Sequence, residues 1–332
     1  MNSTSVLKYT FLLPAYKPDF FEEALVSIKS QTYSDFKVVV SDDCSPYSLK
    51  PIFDKVCGED FRFTFRRNAE NMGSKSLVSH WNLLVDTCET EYLIMASDDD
   101  VYDSFFLEEI DKLCVKYPDV DLIHARVREI NEHGEIIRKD AIYGELVSQL
   151  EFISQYQYFN HIECVANNVF KVKPLKDMGG FYDFPLAWSS DTATSFALAK
   201  HGVANTKDIL FSFRMSGINL SSDRNEKKHV TRGKFQAILL YYQCVNDILD
   251  NIFPNNSYEV NLMASIKLCH NRHVISAASY YSSSLSLRQF IGFVQGFNRR
   301  KLFDNKYQIY QLFKKWWHNH CNKLLTHSKC YA

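Results

Sequence analysis

Residues 92–106 read "YLIMASDDDVYDSFF": a short apolar run, three consecutive aspartates (Asp98, Asp99 and Asp100), then Val101 and Tyr102. Five apolar residues bounded by polar, turn-forming ones have the length of a buried strand rather than a helix. Adjacent carboxylates repel one another, so three at a strand end require a partner of opposite charge. The arrangement has a precedent upstream, where "FKVVVSDD" (36–43) ends in Asp42 and Asp43.

Further strands are expected at "YTFLL" (9–13), "FRFTF" (61–65) and "DLIHA" (121–125). Between the runs, 20–31, 74–88 and 104–116 carry helical spacing, with Leu107, Ile110, Leu113 and Cys114 on one face. Strands alternating with helices predict an α/β fold: a Rossmann-like, mostly parallel sheet flanked by helices. "INEHGEI" (130–136) reads as a hairpin. A strand-like "VANNVFKV" (165–172), a Gly-Gly turn at 179–180, a helix near 190–201 and "ILFSFR" (209–214) follow. From about residue 223 the pattern becomes helical and rich in Tyr, Phe, Lys and Arg. The polar stretch 216–228 marks a boundary between a region 1–222 and a C-terminal helical region 223–332.

The chain has 332 residues, 46% hydrophobic and 23% charged, an ordinary globular composition that excludes disorder. Its formal net charge of −1 hides an asymmetry. Residues 223–332 carry 16 basic and 6 acidic side chains, whereas 1–222 carry 22 and 33. The halves face different partners, or each other. Nine scattered cysteines form no CxxC pair, which argues against a zinc ribbon or redox motif. The N-terminal apolar stretch is broken early by Pro14, and no run approaches a membrane span of about 18 residues. The expectation is a cytoplasmic, reduced protein.

In open α/β sheets, ligands bind beyond the carboxyl ends of the strands. One aspartate there can cap a helix. Two acid clusters at successive strand ends exceed what capping needs and suit a hard divalent cation, Mn2+ or Mg2+, shared with substrate phosphates.

The sequence resembles the family-2 glycosyltransferases of GT-A fold. The resemblance rests on "FLLPAYKPDFFEEALVSIKSQTYSDFKVVVSDDCSP", on "NMGSKSLVSHWNLLVDTCETEYLIMASDDDVY" and on "GGFYDFPLAWSSDTATSFALAKHG", in order, covering about residues 8–222. It implies a nucleotide-sugar half at about 1–125 and an acceptor half at about 126–222. Pro14 and Tyr16 would lie at the nucleotide, Tyr16 against the base, and Asp43 would accept a hydrogen bond from it. Asp98 and Asp99 match the DxD motif, Asp98 nearer the ribose or metal and Asp99 the direct ligand. Asp191 matches the catalytic base. The chain departs from the family at Ala96, where many members have an acid, with Asp100 as a partial substitute. It departs again at "RMSG", which keeps Arg214 for the diphosphate but places Ser216 where a histidine is usual. The implied activity is inverting transfer from a nucleotide-diphosphate sugar, a UDP-sugar above all, to a glycan or lipid-linked acceptor in cell-surface polysaccharide synthesis.

The residues by themselves leave alternatives open. Asp191 could cap the 190–201 helix, and Trp188 could stack on an acceptor sugar or pack in the core. His161 could touch the acceptor or serve as a structural hydrogen-bonder, and Asn167, Asn168 and Arg67 have equally plain readings. The basic, aromatic tail 299–332 could lie on the cytoplasmic face of the inner membrane or dock on the acidic half. No motif supports nucleic-acid binding. The rival functions are a non-catalytic nucleotide- or sugar-binding protein on the same scaffold, and a nucleotidyltransferase. The latter would carry a glycine-rich basic loop after the first strand, which "PAYKPDF" is not.

Overall fold

Alternation decides the fold from its first strand. In β1 (Tyr9–Ala15), Tyr9, Phe11 and Leu13 pack into one hydrophobic core and Leu12 into another, so both faces of the sheet are covered. The structure, a computed structural model, describes residues 7–158, 161–216, 228–282, 285–299, 309–310 and 312–318. After β1 come α1 (Phe21–Lys29), β2 (Phe36–Asp42), α2 (Lys50–Cys57), β3 (Phe63–Arg67), α3 (Gly73–Asp86) and β4 (Tyr92–Met95). Next are β5 (Val101–Tyr102), α4 (Phe106–Lys116), β6 (Leu122–Ile130), β7 (Ile136–Lys139), β8 (Leu146–Val147) and α5 (Gln149–Tyr158). The series closes with β9 (Asn168–Lys171), α6 (Val172–Asp177), α7 (Ser190–Leu198), β10 (Val203–Arg214), α8 (Lys228–Asp250), α9 (Ser257–Ser282) and α10 (Leu287–Arg299).

The ten strands form one sheet in the order β3-β2-β1-β4-β9-β6-β10-β5, with β7 on β6 and β8 on β10. Strands β1, β2, β3, β4, β6 and β10 share one direction, the mostly parallel sheet expected. The strand-like 165–172 stretch needs correction. Residues 165–167 form a 3-10 turn, and only Asn168–Lys171 is a strand, inserted antiparallel between β4 and β6.

The chain runs β1 to β2 to β3 outward on one side of β1, then returns to pair β4 on its other side. Helices α1, α2 and α4 cover one face, and α3, α5, α6 and α7 the other. The crevice beyond the ends of β1 and β4 is therefore a topological switch point, where open sheets bind ligands.

The C-terminal helices complete the second core. Ala237, Tyr241, Val245 and Leu249 of α8 and Ile266 of α9 are buried with Phe152, Phe196 and Val203. Gly233 lets α8 approach closely, since a Cβ there would stand 2.9 Å from the Leu186 side chain. A third cluster joins α8, α9 and α10 to Leu312 and Trp316. Of the expected boundary and tail, 217–227, 300–308, 311 and 319–332 lie outside the described residues. Among the described residues, no helix is long and apolar enough to cross a membrane.

Candidate active site

The loops after β1, β2 and β4 meet at the switch point and are tied together by carboxylates. Asp98 Oδ2 accepts from the main-chain N–H of Tyr16 (2.7 Å) and of Lys17 (2.8 Å). The Tyr16 carbonyl accepts from the Ser45 hydroxyl at 2.6 Å, and Pro14 sits in register with Ser41. The Tyr16 ring stays exposed at the crevice.

Asp99 faces the Lys17 ammonium at 3.2 Å and accepts a hydrogen bond from Ser97. Burial, then the neighbouring Asp99, pushes Asp98 up to about 6. This pair fits a hard cation: oxygen donors, crowded charge and a protein ammonium already drawn to the same place. Asp100 does not join them. It is 1% exposed, accepts from the Arg214 N–H at 2.8 Å, and is raised well above the usual carboxylate range by burial and by Asp99.

Arg214, expected at the diphosphate, is committed to the protein. Its guanidinium is buried, donates to the Asp99 carbonyl (2.9 Å), the Asn131 carbonyl (3.3 Å) and Glu23 (2.6 Å), and lies 4.2 Å over the Phe20 ring. A desolvated fork with partners on three elements holds the ends of β10 and β4 against α1. Ser216, two residues on, is half-buried.

The two acids of β2 divide as well. Asp42 pairs with Arg67 and accepts from the Ser45 N–H at 2.8 Å, which gives Arg67 a structural partner. Asp43 accepts from the N–H groups of Met72 (2.9 Å) and Gly73 (2.7 Å) and from the Asn68 amide (2.9 Å). It therefore caps α3 from another loop. Gly73 permits the approach, because a Cβ there would sit 3.0 Å from Asp43 Oδ2. His80, buried and hydrogen-bonded to Ser41 (3.0 Å) and Asn68 (3.1 Å), stands 3.7 Å from Asp43.

Asp191 occupies the first turn of α7, two residues after the N-cap position Ser189. Its carboxylate accepts from the N–H of the next residue, Thr192, at 2.8 Å. Burial, then Glu163, pushes it up to about 6. The approach to it is strained: Leu186 (φ 63°), Ala187 (φ 54°) and Ser189 (φ 61°) all occupy the left-handed region that non-glycine residues avoid. Cys44 (φ 54°), directly after Asp43, is the remaining such residue among those described. Strain of this kind persists where the surrounding structure enforces it, and it gathers at ligand sites. Trp188, between the strained residues, packs against α8, with the Lys234 ammonium 4.2 Å over its ring. His161 is buried beside Glu163 and His124. Asn167 and Asn168 are wholly buried, holding the Ala125 carbonyl and Glu163.

Sequence reading missed Lys17, Glu163 and His80. A lysine right after a strand-end tyrosine was a readable signal for Lys17. The other two depend on neighbours distant in the chain.

The family model for glycosyl transferase family 2 matches residues 10–179, just over half of the chain. The uncharacterized glycosyltransferase MJ1057 of Methanocaldococcus jannaschii is 25% identical over 173 residues, 52% of this chain and 57% of that protein. The chain thus spans little more than half the length of that relative. Among solved structures, S. aureus TarS 1–349 in complex with UDP-GlcNAc superposes with a TM-score of 0.68 at 16% identity, covering 94% of this chain and 89% of that one. The mannosyltransferase PcManGT of Pyrobaculum calidifontis, in complex with GDP-Man and Mn2+, gives 0.52 at 14% identity, with 97% and 88% covered. Likeness at such identity speaks for the fold alone.

Proposed function

The chain belongs to glycosyl transferase family 2 and is a glycosyltransferase of GT-A fold, and on that premise we propose an inverting, metal-dependent transfer from a UDP-sugar to a hydroxyl of a glycan or lipid-linked acceptor. The observation that carries the proposal is the Asp98–Asp99 pair at the switch point, locked to Tyr16 and Lys17. The UDP-GlcNAc bound in the S. aureus structure supports a uridine donor, and the Mn2+ of the Pyrobaculum structure supports the metal.

Asp99 would hold Mn2+ or Mg2+ together with Asp98, and the ion when bound supplies charge neutralisation at the leaving diphosphate. The protein does the rest. Tyr16 offers its exposed ring to the base, and Asp43 keeps one acceptor position beyond the three it spends on Asn68, Met72 and Gly73. Lys17 balances the charge of Asp99 and of an entering phosphate. Asp191 takes the proton from the acceptor hydroxyl as its oxygen attacks the anomeric carbon and the bond to the diphosphate breaks. A base held near 6 is ionised at neutral pH yet more basic than an ordinary aspartate. One in-line displacement inverts the anomeric centre.

Membrane contact belongs to the same proposal. Phe313, Lys314, Lys315 and Trp317 are all exposed on one short helical stretch whose Leu312 and Trp316 are buried. Basic and aromatic side chains together suit an anionic interface, where a lipid-linked acceptor would be met at the cytoplasmic face. Co-sedimentation with acidic liposomes at low salt tests it; no binding there removes this part.

The test of the central reading is single-turnover transfer, or donor hydrolysis, by Asp191→Asn, with UDP affinity measured on the same preparation. Asn preserves shape but cannot accept the proton. The expected result is a large loss of rate with unchanged UDP binding. A wild-type rate would remove Asp191 as the base.

A further inference from the structure

A second polar cluster lies inside the acceptor half, and it touches the mechanism above only through the charge that Glu163 places near Asp191. His124 projects from β6, Asp140 follows β7, and His161 and Glu163 follow α5. All four side chains have no exposed surface. His124, Asp140 and His161 each bring one ligand-type atom to within 4.8 Å of the others.

Their hydrogen bonding is incomplete in a particular way. Asp140 Oδ1 is saturated by the Ala141 N–H (2.9 Å), the Tyr143 hydroxyl (2.6 Å) and the Ile162 N–H (3.1 Å), while Oδ2 has no partner. The ring nitrogens of His124 reach no partner at full hydrogen-bond geometry, with the Ile162 backbone and the Asn205 side chain standing nearby, and Nδ1 of His161 makes no hydrogen bond. Buried polar atoms left this way destabilise the fold, so a cluster of them signals an occupant. His161 Nε2 is held by Glu163 Oε2 at 2.8 Å, and Glu163 Oε1 by the Asn168 amide at 2.8 Å. A carboxylate fixing one imidazole nitrogen while the other stays open is the second-layer pattern of metal-bound histidine.

Charge and spacing agree. His124 Nε2 stands 3.9 Å from Asp140 Oδ2 and 3.8 Å from Glu163 Oε2. Tetrahedral donors at about 2.1 Å from zinc lie about 3.4 Å apart, so the 3.9 Å gap must close by about half an ångström and the widest in the group, up to 4.8 Å, by more than one. One divalent cation would cancel the charges of Asp140 and Glu163 together, which matters where both side chains are wholly buried. Tyr143, Phe152 and Tyr156 stand edge-on around His161 with ring centroids 5.0, 5.6 and 5.8 Å away, closing the box.

We propose that His124, Asp140 and His161, with Glu163 orienting or joining them, form a structural zinc site separate from the Asp98–Asp99 pair. Imidazole and carboxylate donors without an open face suit zinc in a structural role. The ion would clamp β6, the loop after β7 and the segment after α5, the frame around Asp191.

The experiment is metal analysis of the purified full chain by mass spectrometry, alongside melting with a zinc chelator and with zinc returned. The expected result is about one zinc ion per chain, a chelator-induced fall in Tm of about 5 °C or more, and recovery on adding zinc. Asp99→Asn should keep the zinc, and Asp140→Asn and His161→Gln should lose it. Wild-type chain free of zinc, with a Tm that neither chelator nor zinc moves, overturns the proposal in favour of trapped water or a shared proton. Zinc lost in Asp99→Asn overturns it in favour of the switch-point acids. The wild-type measurements decide even if the cluster variants do not fold.

Discussion

Asp43 and Asp191 each stand at the start of a helix, and the molecule uses them in opposite ways. Asp43 spends its carboxylate on the Met72 and Gly73 N–H groups at the head of α3 and on the Asn68 amide before it. The helix breaks at Ser76, whose hydroxyl caps the rest by accepting from the Ser79 N–H. Asp191 receives the N–H and, at 3.5 Å, the hydroxyl of its neighbour Thr192, and otherwise meets burial and the charge of Glu163. A carboxylate surrounded by donors stabilises a fold by being charged. A carboxylate denied them is destabilised by being charged, and becomes a better base. The difference teaches that position at a helix start does not define a role; the donors delivered from elsewhere do.

The largest expected effect is on rate. Asp191→Asn should slow single-turnover transfer on the order of 10²-fold or more, whereas Asp43→Asn should act mainly on UDP affinity. Equal rate losses in the two variants would break the comparison.

The next concerns pH. Wild-type turnover should fall as pH drops through about 6, because protonated Asp191 cannot accept the acceptor proton. A single-turnover rate still flat well below that value would place the base elsewhere.

Stability sharpens the contrast further. The folded chain holds the Asp191 proton more tightly than the unfolded chain does, so this group makes stability fall as pH rises from about 4 to about 6. Asp191→Asn should therefore gain about 1–3 kcal/mol in urea unfolding at pH 7.5 and little at pH 4. Asp43→Ala should do the reverse at pH 7.5, losing about 0.5–2 kcal/mol as the Met72 and Gly73 N–H groups at the head of α3 lose their acceptor. Stabilisation by Asp43→Ala would show that the cap is not used.

Much of this was legible in the chain. The runs at 9–13, 36–40, 92–96 and 121–125 became strands of the main sheet, and the helices between them formed, because burial periodicity and turn chemistry act over a few residues. The hairpin around Gly134 (φ 80°) and the Gly-Gly turn (φ 90° and 89°) were readable for the same reason. Strands β5 and β8, two residues each, carry too little pattern to be seen, and α2 follows Pro46 and carries Pro51 in its first turn, which reads like a loop. The insertion of β9 against the general direction was hidden, since its four residues read alike in either sense.

The sequence by itself determined that an α/β sheet would present acids at the ends of β2 and β4, for an apolar run followed by aspartates is a local statement. It did not determine which acid does what. Asp98 is bound to residues 81 and 82 positions away, Asp100 to one 114 away, and Arg214 is turned inward by Glu23, 191 positions away. Those partners are brought together only when the sheet closes, and for a carboxylate in a desolvated crevice the donors within 3 Å settle its charge, its basicity and its use.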